Sequence, residues 1–144
     1  MSSRSVLSRL SSSTPKGQDL GLLVVRTGFG LSLAFAHGRG KLSNPEKFVA
    51  GVAQRGFPLP EFFAWSAAAS EFLGGLLIAL GLFTRLSAAF VWITLAVAAF
   101  VVHAGDPYQK KELALAYVVV ATAILLAGPG RYSLDRKLFG SKNR

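Results

Sequence analysis

Residues 62–83, FFAWSAAASEFLGGLLIALGLF, are apolar over the length of a membrane crossing and carry one carboxylate, Glu71, near their middle. About 20 predominantly apolar residues are needed to cross a hydrocarbon core of about 30 Å, so the stretch reads as a transmembrane helix. A charge at mid-bilayer depth costs at least about 2.5 kcal/mol on insertion scales, and such residues usually face a bundle interior, find a partner and mark a functional path. Glu71 is therefore the first candidate for a site.

Working outward, three further apolar blocks occupy residues 20–37, 86–102 and 113–128. The expected fold is an all-α integral membrane protein, an antiparallel four-transmembrane-helix bundle with both termini on one side. Thr84-Arg85 is so short a connection that the helices it joins must be antiparallel neighbours. The longer connection between the first two helices contains Asn44-Pro45-Glu46, a helix start with Pro at the first helical position. Phe48, Val49, Val52 and Ala53 follow as an apolar stripe. A short interfacial helix between helices 1 and 2, able to act as a lid, is the expectation here, with a plain loop as the alternative. Gly56-Phe57-Pro58-Leu59-Pro60 then stops it.

The domain organisation is a flexible basic N-terminal tail (1–19), a membrane domain (20–130) and a basic C-terminal tail (131–144). The N-terminal tail has no apolar core or cleavage site of a secretory signal. Its composition, rich in Ser and Arg and without acids before Asp19, also suits a mitochondrial presequence, but a cytoplasmic tail touching lipid through Val6, Leu7 and Leu10 is the reading adopted. Most Lys and Arg residues of the short segments fall in the two tails and the Thr84-Arg85 connection, which places both termini in the cytoplasm.

Mean hydropathy of +0.44 and only 16% charged residues fit a membrane protein. The net charge of +9 resides almost wholly in tails and loops, so anionic lipid is a better partner than nucleic acid. The chain has no cysteine, which excludes a disulfide framework, an iron–sulfur cluster and thiol–disulfide exchange.

The remaining polar residues within the blocks complete the candidate set. Arg26 and Glu71, entering from opposite faces, differ in depth by about 7 Å at 1.5 Å per residue, a gap that two leaning side chains can close. They are expected to form a buried ion pair, which either holds the bundle in register or binds a ligand and handles protons. Arg26, Gly30, Leu33 and His37 share one helical stripe, and Lys41 continues it beyond the expected helix end. His37 lies seventeen residues from Leu20 and His103 seventeen from Leu86, both near the outer interface, where a shared site can be drawn. Two histidines are few for a metal or haem centre, so none is assigned. Ala64, Ala67, Ala68, Gly74 and Gly75 lie on the side of Glu71, where small residues admit close helix packing or leave room for a flat ligand. Trp92 stacks on a ligand or packs, and Tyr117 and Thr122 offer hydrogen bonds.

Four segments together resemble the DoxX family of small four-helix membrane proteins: LLVVRTGFG around Arg26, HGRGKL from His37, SEFLGGLLIALGLFTRL from Ser70, and GPGRYSLD from Gly128. Arg39 departs from the usual HGLxKL form by adding a basic residue between His37 and Lys41. The resemblance implies a bacterial inner-membrane protein whose relatives serve quinone-linked oxidoreductases, such as thiosulfate oxidation complexes, or redox complexes responding to oxidative stress. It carries over Arg26, His37, Lys41, Glu71 and Arg85 as the matching polar positions. Two functions follow as expectations. In one, the bundle binds a quinone or another lipophilic small molecule at a polar patch on Arg26, His37 and Glu71, as a subunit of a redox complex with membrane or soluble partner proteins, and Glu71 or His37 handles the proton. In the other it is a non-catalytic scaffold or assembly factor. Catalysis by this chain itself and homo-oligomerisation are left open.

Overall fold

The computed structural model describes residues 14–140, and among these every regular element is a helix. Readings that fall on residues 1–13 and 141–144, including the lipid contacts of Val6, Leu7 and Leu10, lie outside the described residues. Helix α1 spans Pro15–Ser43. It starts five residues earlier than the first apolar block because Thr14 caps it, its hydroxyl accepting from the Gly17 amide at 3.1 Å, with Pro15 in the first turn. Helix α2 spans Pro45–Gln54, α3 Pro60–Leu80, α4 Thr84–Val102, α5 Tyr108–Ala127 and α6 Leu134–Phe139.

Among the described residues, α1, α3 and α4 are long and apolar enough to cross a membrane, at 29, 21 and 19 residues. Their outward faces carry large apolar side chains such as Val24, Phe35, Leu73, Phe90 and Phe100 in exposed positions. A helix apolar on its outside as well as its inside belongs in lipid. Helix α5 matches their length at 20 residues but opens on the polar run Tyr108-Gln-Lys-Lys-Glu.

The core is built where four helices meet. Phe29 and Leu33 of α1, Ile78 of α3, Ala88, Val91 and Leu95 of α4, and Ala121 and Ile124 of α5 form one buried cluster. Between α1 and α3 the backbones themselves touch. A Cβ on Gly30 would sit 2.4 Å from the Gly75 carbonyl oxygen, and one on Gly38 would sit 2.5 Å from the Phe72 nitrogen. The small residues beside Glu71 thus serve packing: Ala64, Ala68, Gly74 and Gly75 are all buried, and Ala67 is half-buried. Without a hydrophobic drive between helices in lipid, such close approach supplies the contact energy. Its consequence is a fixed antiparallel register between α1 and α3.

Three segments depart from α geometry into π turns: 33–38 in α1, 70–74 in α3 and 98–102 in α4. Helix α2 lies against α3, with Phe48, Val49 and Val52 half-buried and Ala53 exposed, so most of its expected stripe packs inward.

Candidate functional site

The α1–α3 register decides which polar groups meet. With Gly38 backed onto Phe72, the next turn of α1 brings Lys41 against Glu71, and the Lys41 ammonium donates to Glu71 Oε1. Glu71 is only 3% exposed, whereas the Lys41 side chain reaches outward with 26% of its surface accessible. The Lys41 nitrogen also stands 5.0 Å from the centre of the Phe48 ring on α2, a cation–π contact. Glu71 Oε2 and the neighbouring Ser70 hydroxyl are buried without a hydrogen-bond partner. A carboxylate oxygen left so is a costly feature that a fold solely concerned with stability would remove. Beside Lys41, the slot walled by Pro45, Phe48, Ala64, Trp65 and Ala68 is closed too tightly to admit water.

The expected Arg26–Glu71 pair is therefore corrected. Arg26, 1% exposed, points the other way: Nη1 donates to the carbonyls of Ile78 at 3.1 Å and Ala79 at 3.2 Å, and Nη2 to that of Tyr132 at 2.6 Å. The last carbonyls of a helix lack intrahelical partners and carry the negative end of its dipole, so they suit a guanidinium better than a carboxylate two turns away. The expected pair rests on a first helix that ends at His37. Helix α1 does not stop at His37 but continues through its π turn to Ser43, which turns Lys41 from a loop residue into an inward neighbour of Glu71.

Around Arg26 the segment GPGRYSLD closes one end of the bundle. Gly81 ends α3 at φ 70° in a Schellman arrangement, with Leu82 N donating to Leu77 O at 2.9 Å and Gly81 N to Ile78 O at 3.1 Å. A Cβ at Gly81 would fall 1.9 Å from Arg26 Nη1. Asp135 accepts from the Phe83 and Thr84 amides at 2.7 and 2.8 Å and so caps α4 from a distance, while its own amide donates to Gly81 O at 2.8 Å. Burial raises the Asp135 carboxyl, but hydrogen bonds from Thr84 and Phe83, aided by the charge of Arg26, outweigh it and hold the group below its ordinary range. Asp19 accepts from the Arg131 amide at 3.1 Å, and Arg85 donates to the Leu126 carbonyl at 3.3 Å. Asp135 was missed in the sequence reading, although it is the only acid in the C-terminal tail and follows a Gly-Pro-Gly turn.

The two histidines take separate partners. His37 presents an edge-on ring contact to Tyr117 of α5 with centroids 5.7 Å apart, and the Tyr117 hydroxyl shares a 2.8 Å hydrogen bond with Ser32. His103 bonds through Nδ1 to Asp106 at 2.7 Å in the turn after α4. That bond is the largest influence holding the Asp106 carboxyl below its usual range, over an opposing contribution from burial. Trp92 packs as an interhelical tie, its indole donating to Thr122 at 2.9 Å. Arg39 is exposed beside this region.

His37 and Glu71 lie inside π segments, and His103 directly follows the third. Such turns are rare, and they concentrate at functional positions because the widened turn re-aims a side chain at the cost of helix geometry. No sequence period announces them.

The chain matches the DoxX family over residues 21–104, a span that holds Arg26, His37, Lys41, Glu71, Arg85 and His103. A relative from Bacillus subtilis (strain 168), named "Putative oxidoreductase CatD", is 32% identical over 131 residues, which cover 89% of this chain and 95% of that protein. No solved structure matches the chain. The helical membrane architecture, the family match and the full-length relative agree, and the chain belongs to the DoxX family.

Proposed function

We propose that the protein is a bacterial inner-membrane subunit of a redox complex, and that Lys41 and Glu71 bind a quinone, its reduced hydroquinone form or another lipophilic small molecule. The observation that carries this reading is the unpartnered, buried Glu71 Oε2 beside a paired ammonium. An ionised carboxylate only accepts hydrogen bonds, so Oε2 is suited to a ligand hydroxyl, while Lys41 has donors to spare for a ligand carbonyl. In this arrangement Glu71 takes the proton of a hydroquinone hydroxyl as the electrons leave to the partner protein, and Lys41, which reaches the surface along its own stem, releases one ammonium proton outward and is reprotonated from Glu71. Electron transfer falls to a partner protein.

In this reading α5 is the fourth membrane crossing, completing a four-helix bundle with both termini cytoplasmic. Helix α2 then lies in the outer interface and covers the site, Phe48 closing over Lys41. A lipophilic ligand enters by displacing it, from the apolar side where Phe62 and Trp65 are exposed.

The test is purification in mild detergent followed by mass spectrometry of the extracted small molecules. A quinone or comparable lipophile is expected with the native chain, and Glu71→Gln is expected to lose it while remaining folded. Equal recovery from both, or none from either, overturns the site. A scaffold role is then favoured by a separate observation: the Arg26 Nη groups, the Trp92 indole and the glycine contacts all tie one helix to another, and Arg26 Nε is as unpartnered as Glu71 Oε2 without facing a ligand site. It predicts that Glu71→Gln leaves partner assembly and redox activity intact.

A further inference from the structure

At the other end of the bundle a cleft of about 920 Å³ opens between the start of α4, the end of α5 and α6, with the guanidinium residues Arg85, Arg131 and Arg136 on its walls. We propose that it binds the phosphate headgroup of an anionic phospholipid. This site is independent of the ligand assigned to Lys41 and Glu71.

The cleft also contains two carboxylates, but both are already turned onto backbone amides: Asp19 onto Arg131, and Asp135 onto Phe83 and Thr84. Among the described residues no acid forms a salt bridge with any of the three arginines. Arg85 spends one nitrogen on the Leu126 carbonyl and keeps its remaining donors. The planar guanidinium fork matches phosphate oxygens in pairs. The rim supplies the second half of a lipid site. Phe83, Leu86 and Phe139 line the same cleft and are 52%, 60% and 64% exposed, and the rings of Phe83 and Phe139 lie 5.9 Å apart. A soluble anion has no use for that apolar edge, whereas the glycerol and first acyl carbons of a phospholipid rest against it. The position at the ends of membrane-length helices puts the arginines at headgroup level, where basic pockets between helices hold anionic lipids.

The experiment uses the full chain in mixed micelles with equal amounts of dioleoyl phosphatidylglycerol and dioleoyl phosphatidylcholine, and counts retained lipid by native mass spectrometry. The native protein should keep phosphatidylglycerol in preference. Arg131→Gln with Arg136→Gln should lower its retention roughly 25-fold, at about a factor of five for each surface cation removed. The charge-preserving pair Arg131→Lys with Arg136→Lys should recover most of it, which a folding defect at these positions would not allow. Lys110→Gln with Lys111→Gln removes the same charge at the opposite end and should change nothing. Equal losses from both neutralised pairs would reduce the effect to bulk charge and overturn the site. Displacement of phosphatidylglycerol by an equal concentration of glycerol phosphate would overturn the lipid assignment in favour of a soluble anion.

Discussion

Arg26 and Glu71 are both buried charges on membrane-length helices, yet their surroundings give them opposite characters. Every hydrogen bond that Arg26 makes ends on a backbone carbonyl, and removing the guanidinium would strip the Ala79 and Tyr132 carbonyls of its bonds while Ile78 keeps only the Gly81 amide. Arg26→Met should lower unfolding stability in detergent by about 2–4 kcal/mol, read from the thermal or denaturant midpoint. Glu71→Gln keeps an oxygen for Lys41 and gives Oε2's place an amide, so its stability change should stay within about 1 kcal/mol. A large loss in the second variant and none in the first would reverse the assignment of roles. Asp135 offers a pH test at the same scale. Its carboxyl titrates lower in the folded chain than in the unfolded one, so its stabilisation is full above the ordinary carboxylate value of about 3.9 and disappears as pH falls through the lower folded value. Asp135→Asn should therefore be less stable than the native chain at neutral pH, and the gap should close below about pH 4.

Among the elements, the π turns carry the consequence. A π turn holds one residue more than the α turn it replaces, so deleting one residue from 70–74, with lipid-facing Leu73 the natural choice, should restore α geometry there. The shortened chain should keep its helical circular dichroism but misalign Glu71 with Lys41, and lose the co-purifying lipophile. Retention of the ligand would show that the π turn does not aim the carboxylate. These turns also explain what could be read beforehand. The apolar blocks, the tight Thr84-Arg85 connection and the Asn44-Pro45 helix start were legible because length, hydropathy and caps are local properties. The Lys41–Glu71 pair was not, since a uniform 100° per residue cannot carry phase across a π turn. The first apolar block also ends at His37, whereas Gly38 continues the helix and lets two backbones touch.

For the whole molecule, the topology makes orientation testable. The chain has no cysteine, so single cysteines placed in the N-terminal tail, in the Gly105-Asp106 turn and in the C-terminal tail report without background. With both termini cytoplasmic, an impermeant thiol reagent on intact cells should label only the 105–106 position. Labelling of either tail would invert or break the four-crossing arrangement. The lipid cleft and the Lys41–Glu71 site would then exchange sides, since they occupy opposite ends of the bundle.

The bond from Arg26 to Tyr132 spans 106 positions of sequence. At roughly 5–20 residues per second, Arg26 is synthesised about 5–20 s before its final acceptor has been made. Until then one arm of a buried cation has nothing to hold, and α4 lacks the carboxylate that caps it. A ribosome that stalls before Tyr132 thus releases a chain whose four hydrophobic blocks are complete but whose seal is missing, and a membrane protease has a chemical means of telling that product from the finished one.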